Sequence, residues 1–164
     1  MIGHLLDRYC FLLRLCLGAL TFLLALPVAA QIIARYTGII PVYLWTEELA
    51  TFLFVWVVMI GSMVAVWDGT HFNVEVLPEA RAPFARLLQK GFVLVLLIVF
   101  GLLFAWYGVE YTRFGAIQNS VMMRMNMAIT HVAVPVAGIS WAAFAGWRLY
   151  EAVAEYRAGP EVVK

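Results

Sequence analysis

Ionisable side chains are scarce in this sequence, and those that could do chemistry gather at the ends of apolar runs. Arg35 closes one such run. After a short Gly/Pro loop, Glu47 and Glu48 stand at the head of the next, within RYTGIIPVYLWTEELATFLFVWVVMIGSMVAVW, residues 35–67. A cation facing two carboxylates across a turn can hold an ion or an anionic substrate. It can equally be a salt bridge that clamps two helices or meets a partner protein. Charges at mid-depth in a bilayer are costly and mark transport paths. These three lie at the ends of runs, so a clamp or a partner contact fits better than a site. Glu110 and Arg113, one helical turn apart, make a local i,i+3 pair, or else face a soluble partner.

Other residue types with chemical potential have plainer explanations. His4, His71 and His131 raise the question of a haem-ligating four-helix cytochrome. On the span assignment below, His71 and His131 fall at opposite membrane boundaries, about 30 Å apart, so they cannot share an iron. Met122, Met123, Met125 and Met127 could hold Cu(I), but methionines at a boundary more often supply adaptable packing or a docking surface. Cys10 and Cys16 lack CxxC spacing and offer no disulfide framework or tetrathiolate site. Phosphate loop, nucleophile elbow and HExxH are all missing, which leaves enzymatic readings without a motif. No cofactor is expected.

The elements that must position these residues are membrane helices. The chain of 164 residues is 65% hydrophobic and only 13% charged, with a mean hydropathy of +0.91. A soluble domain is near half apolar and a quarter charged. A net charge of +1 gives no reason to expect nucleic acid. Four uncharged runs, 15–34, 49–67, 91–109 and 125–147, are each long enough to cross a bilayer, and unpaired backbone is not tolerated in lipid. The expectation is one all-α membrane domain over residues 1–164 with four transmembrane helices. Pro27 is expected to interrupt the first. The charged start of the chain and the length of the run after it predict an uncleaved first span rather than a secretory signal.

Orientation follows from the basic residues. Arg8, Arg14, Arg81, Arg86, Lys90, Arg148, Arg157 and Lys164 lie on one side, against Arg35, Arg113 and Arg124 on the other. The excess places both termini in the cytoplasm. Tyr36, Tyr43, Trp45 and Trp67 then fall at the boundaries, where an aromatic belt belongs. Between the second and third spans, residues 70–86 read as a short amphipathic segment lying in the membrane interface, with Pro83 opening the next helix. None of the four runs carries a mid-depth Asp or Glu, which a self-sufficient small exporter would need to bind its cation. Transport by this chain alone is therefore not expected.

Arg35-Tyr36, Trp45-Thr46-Glu47-Glu48, Trp56, Gly61 and the Gly69-x-His71 turn, in that order and spacing, resemble the DctQ-type small membrane subunit of TRAP (tripartite ATP-independent periplasmic) transporters. Pro135 and Gly138 match a P-x-x-G-like element of that family's last span. The resemblance implies a multi-pass protein of the bacterial inner membrane. Its partners would be a large elevator-type membrane subunit, a periplasmic substrate-binding protein and membrane lipid, in sodium-driven uptake of an organic acid. It also implies a scaffold that binds neither substrate nor metal. On that basis Arg35, Tyr36, Trp45, Glu47, Glu48, Trp56, Gly61 and His71 are assigned to structure or the subunit interface. Gly38, Tyr43, Glu110, Arg113, Gln118 and Asn119 are the candidates for contact with the binding protein. The competing class is a membrane anchor or cofactor-holding subunit of an electron-transfer complex, which a haem absorbance band would favour.

Overall fold

The computed structural model describes residues 2–37, 43–69 and 83–158. Its helices are α1 (Ile2–Thr37), α2 (Leu44–Asp68), α3 (Pro83–Ala116), the single turn α4 (Ala128–His131) and α5 (Ala133–Ala158). With α4 and α5 counted as one interrupted span, four helices are long and apolar enough to cross a membrane. The fold is an all-α four-span membrane protein. Residues 70–82 fall outside the described residues, and with them most of the expected interfacial segment. α3 does begin at Pro83, where a residue without an N–H suits the first helical turn.

The first three helices are longer than their apolar runs, α1 and α3 most of all. α1 has 36 residues, about 54 Å at 1.5 Å per residue, against a hydrocarbon core of about 30 Å. The charged stretch with Asp7, Arg8 and Arg14 simply continues the span as helix, because nothing in it breaks one. α1 also runs on through Pro27, where the sequence predicts an interruption. The carbonyl one turn earlier loses its N–H donor there, a loss that membrane helices tolerate. The fourth span departs in the other direction. Residues 125–127 precede α4, and the helix is broken between α4 and α5 at Val132.

Packing sets the order of the helices. α3 lies against α5, α5 against α2, and α2 against α1, so α1 and α3 occupy the two flanks. Burial follows that order. In the most apolar stretch of each span, 56% of residues are buried for α4–α5 but only 11% for α1 and for α3. The last span is therefore the centre of the protein. Cys10 and Leu13 of α1, Ile60, Met63, Val64 and Val66 of α2, and Ala137 and Phe144 of α5 form the core.

The α3–α5 contact is made by small residues. A side-chain carbon on Gly101 would lie 2.7 Å from the Gly138 carbonyl, and one on Gly138 would lie 2.5 Å from the Gly101 carbonyl. One on Gly108 would strike Pro135 at 2.8 Å, and one on Gly115 would enter the His131 ring. Gly101, Gly108 and Gly115 recur every seven residues and so share a face. Between apolar helices in lipid, close approach is what such residues provide.

Polar ties hold the other pairs. At the end where α1 stops, α2 starts and the loop 117–127 lies (the loop end), Gln31 Nε2 of α1 donates to Thr46 Oγ1 of α2 at 3.3 Å. At the opposite, terminal end, Arg14 of α1 forms an ion pair with Asp68 of α2. Tyr9 shares a 2.9 Å hydrogen bond with Ser140, joining α1 to α5. Gly69 ends α2 in the left-handed conformation, φ 71°, with its N–H on the Ala65 and Val66 carbonyls. A glycine cap of this kind is the usual way to stop a helix, and the Arg148 guanidinium fills the space where a side chain would go.

Candidate functional site

The densest polar constellation sits at the loop end and is built around Glu48. Being in the first turns of α2, its carboxylate reaches the loop between α3 and α4. It accepts hydrogen bonds from the Ser120 hydroxyl, from the Met122 N–H at 3.1 Å and from the Met123 N–H at 2.9 Å. Hydrogen bonds to an ionised acceptor are about twice as strong as neutral ones. One carboxylate thus gathers three donors of the loop.

The loop has its own framework. Asn119 and Asn126 form an isolated antiparallel bridge, closed by Ser120 N–H to Met125 O at 2.8 Å and Met127 N–H to Gln118 O at 3.0 Å. Asn126 works at both ends of its side chain. Its amide nitrogen donates to the last carbonyl of α3, Ala116, at 2.9 Å, and its oxygen accepts the first N–H of α4, Ala128, at 2.8 Å. Arg124, at φ 53°, takes the left-handed conformation that turns the tip. Below the loop, Trp56 Nε1 of α2 donates to the Ile129 carbonyl at 3.1 Å, tying α2 to the interrupted turn of the last span.

This arrangement separates the two glutamates. Glu48 is half-buried and fully engaged, whereas Glu47 is exposed and its carboxylate has no partner among the described residues. Arg35 is likewise exposed, and no ion pair joins it to either glutamate among the described residues. The Arg–carboxylate bridge between α1 and α2 lies instead at the terminal end, as Arg14–Asp68. Tyr36 is 85% exposed and Trp45 46% exposed. Arg35, Tyr36, Tyr43, Trp45 and Glu47 are all exposed near the loop-end termini of α1 and α2. Gly38 and His71 lie outside the described residues.

The remaining expected positions are placed as follows. Glu110 and Arg113 form their local ion pair at 3.1 Å, both well exposed; such pairs add little stability. Gln118 and Asn119 are exposed on the loop. Gly61 meets only Leu17 of α1, at an ordinary 3.8 Å, so the tight helix crossing is at Gly101 and Gly138 rather than there. His131 is buried, its Nδ1 3.2 Å from the Tyr111 carbonyl and its ring stacked on Tyr111. It is a packed histidine. Met122 and Met123 serve through their backbone N–H groups, and the Met122 side chain stays exposed. Among the described residues, no three His, Cys, Asp or Glu side chains gather closely enough to hold a metal.

Some residues that matter were not singled out in the sequence. Gln31 is one, and a lone amide in an otherwise apolar run was the available signal. Arg14 and Asp68 are another pair, flanking the first two runs at the same end.

Fold and polar pattern together define a small multi-pass membrane protein with its densest polar network at one end of the helices. The family described as "Tripartite ATP-independent periplasmic transporters, DctQ component" matches residues 24–155. The chain belongs to that family: it is a small membrane subunit of a TRAP transporter, a transport component and not an enzyme. It is 33% identical over 110 residues to the "Sialic acid TRAP transporter permease protein SiaT" of Haemophilus influenzae (strain 86-028NP). That stretch is 67% of this chain and 18% of the relative, so the chain spans less than a fifth of that protein's length.

Proposed function

We propose that this chain is a non-transporting scaffold subunit. It packs against a large, elevator-type membrane subunit and offers part of the surface on which a periplasmic binding protein docks during sodium-driven uptake of an organic acid. The observation that carries this is the location of charge. The apolar runs 15–34, 49–67, 91–109 and 125–147 hold no Asp, Glu, Lys or Arg, so there is no mid-depth carboxylate to bind a coupling cation. The low burial of α1 and α3 supports the scaffold role, since both flanks are free to meet lipid or a second membrane protein. The curated relative supports it too. Its matched stretch is joined to a far longer remainder, as expected where a small component works alongside a large one.

In this scheme Arg35, Glu47, Tyr36 and Trp45 are the contacts offered to another subunit. Tyr43, Gln118 and Asn119, with Glu110 and Arg113, face the binding protein. The test is gentle affinity purification of the chain from its native membranes, with every co-purifying protein identified. Recovery with a much larger membrane protein in near equal amount is the expected result. Recovery alone, or with a coloured redox partner, would overturn it.

A further inference from the structure

At the terminal end, away from the Glu48 loop, Gly3 and Asp7 of α1, Trp67 of α2, and Trp147, Arg148 and Glu151 of α5 line an open cavity of about 200 Å³. For scale, an apolar cavity of about 150 Å³ already takes benzene. The chemistry of its walls is mixed in a specific way. Arg148 is half-buried, yet among the described residues its guanidinium has no hydrogen bond or ion pair. Asp7 is likewise without a partner there, and Glu151 accepts one bond, from Trp147 Nε1 at 2.8 Å. The neighbouring charges, Arg14 and Asp68, neutralise each other. Among the described residues this leaves an unpaired guanidinium and two carboxylates around one hollow, with two indoles beside them.

We propose that this cavity binds the headgroup of a zwitterionic phospholipid of the phosphoethanolamine type. A phosphodiester suits a guanidinium, which can donate two parallel hydrogen bonds to it. The primary ammonium suits Asp7 and Glu151, which accept its N–H groups. Trp67 and Trp147 have the amphipathic shape that places tryptophan at a membrane boundary, next to the glycerol region. Each charged wall group, Arg148, Asp7 and Glu151, therefore finds a partner of opposite charge on one small molecule. Phosphatidylcholine offers the same phosphate, but its quaternary ammonium has no N–H to donate. Phosphatidylglycerol leaves both carboxylates facing an anion.

Native mass spectrometry of the full chain, delipidated in detergent and then offered each lipid, tests the assignment. Phosphatidylethanolamine should be retained in preference to phosphatidylcholine and phosphatidylglycerol. Arg148→Gln, and separately Asp7→Asn with Glu151→Gln, should each weaken retention about ten-fold, the size of a lost charge-assisted hydrogen bond. Lys90→Gln, which removes an exposed charge outside the cavity, should not, and equal helical circular dichroism of all variants keeps misfolding apart from lost binding. Equal retention of phosphatidylcholine overturns the ammonium contact, and preference for phosphatidylglycerol overturns the zwitterion. Competition by free phosphoethanolamine at the same concentration as the lipid would make the site one for a soluble metabolite. Undiminished binding by Arg148→Gln would remove the cavity from the account.

Discussion

Glu47 and Glu48 are adjacent in sequence and opposite in use. Consecutive residues on a helix point about 100° apart, so only one of the two can reach the loop, and it is Glu48 that meets Ser120, Met122 and Met123. Glu48→Gln keeps the shape but gives up the charge that those donors share. Faster hydrogen exchange at the Met122 and Met123 amides is expected, with Glu47→Gln leaving both unchanged. If the two substitutions act alike, the division of labour is wrong. That two carboxylates head an apolar run beside an arginine was legible in the sequence. Which one turned inward was not, because its partners lie some seventy residues away and no local pattern records that distance.

At the scale of the elements, the α3–α5 seam carries the sharpest expectation. Even one methyl at Gly138 would press on the backbone of α3, and overpacking of this kind costs about 1–3 kcal/mol. Gly138→Ala should therefore lower the melting temperature in detergent, with Gly101→Ala behaving the same way. Gly61→Ala, which meets only the end of Leu17, should be close to neutral. Hydropathy identified the spans because lipid demands long apolar helices whatever their neighbours. It was silent on the seam, since a glycine in an apolar run weighs little on such a scale. The seven-residue spacing of Gly101, Gly108 and Gly115 was present all along. The length of α1 was missed for a related reason: Asp7, Arg8 and Arg14 end an apolar run without ending a helix.

For the whole molecule, the uneven placement of Lys and Arg predicts that the loop end faces the periplasm. With Cys10 and Cys16 replaced by alanine, a cysteine at Asn119 should react with a membrane-impermeant maleimide added to intact spheroplasts. A cysteine at Glu151 should react only after lysis; the reverse pattern would invert the topology. Four spans were readable from composition alone, but their lateral order was not. Apolar surfaces that meet lipid and those that meet another helix use the same residues, so α1 and α3 could not be told from α5 before their burial was seen.

The central position of α5 has a consequence for how the protein is made. Chains fold from the N-terminus as they are synthesised, yet the helix that joins α2 to α3 here emerges after both. Until it enters the bilayer, the glycine face of α3 has only lipid against it, and α1 and α2 are a pair with nothing to lean on. Assembly thus waits on its last-made part. A ribosome stalled before Ala133 would leave three inserted helices and no protein, and such a fragment should be cleared by membrane proteases faster than the full chain in a pulse-chase experiment.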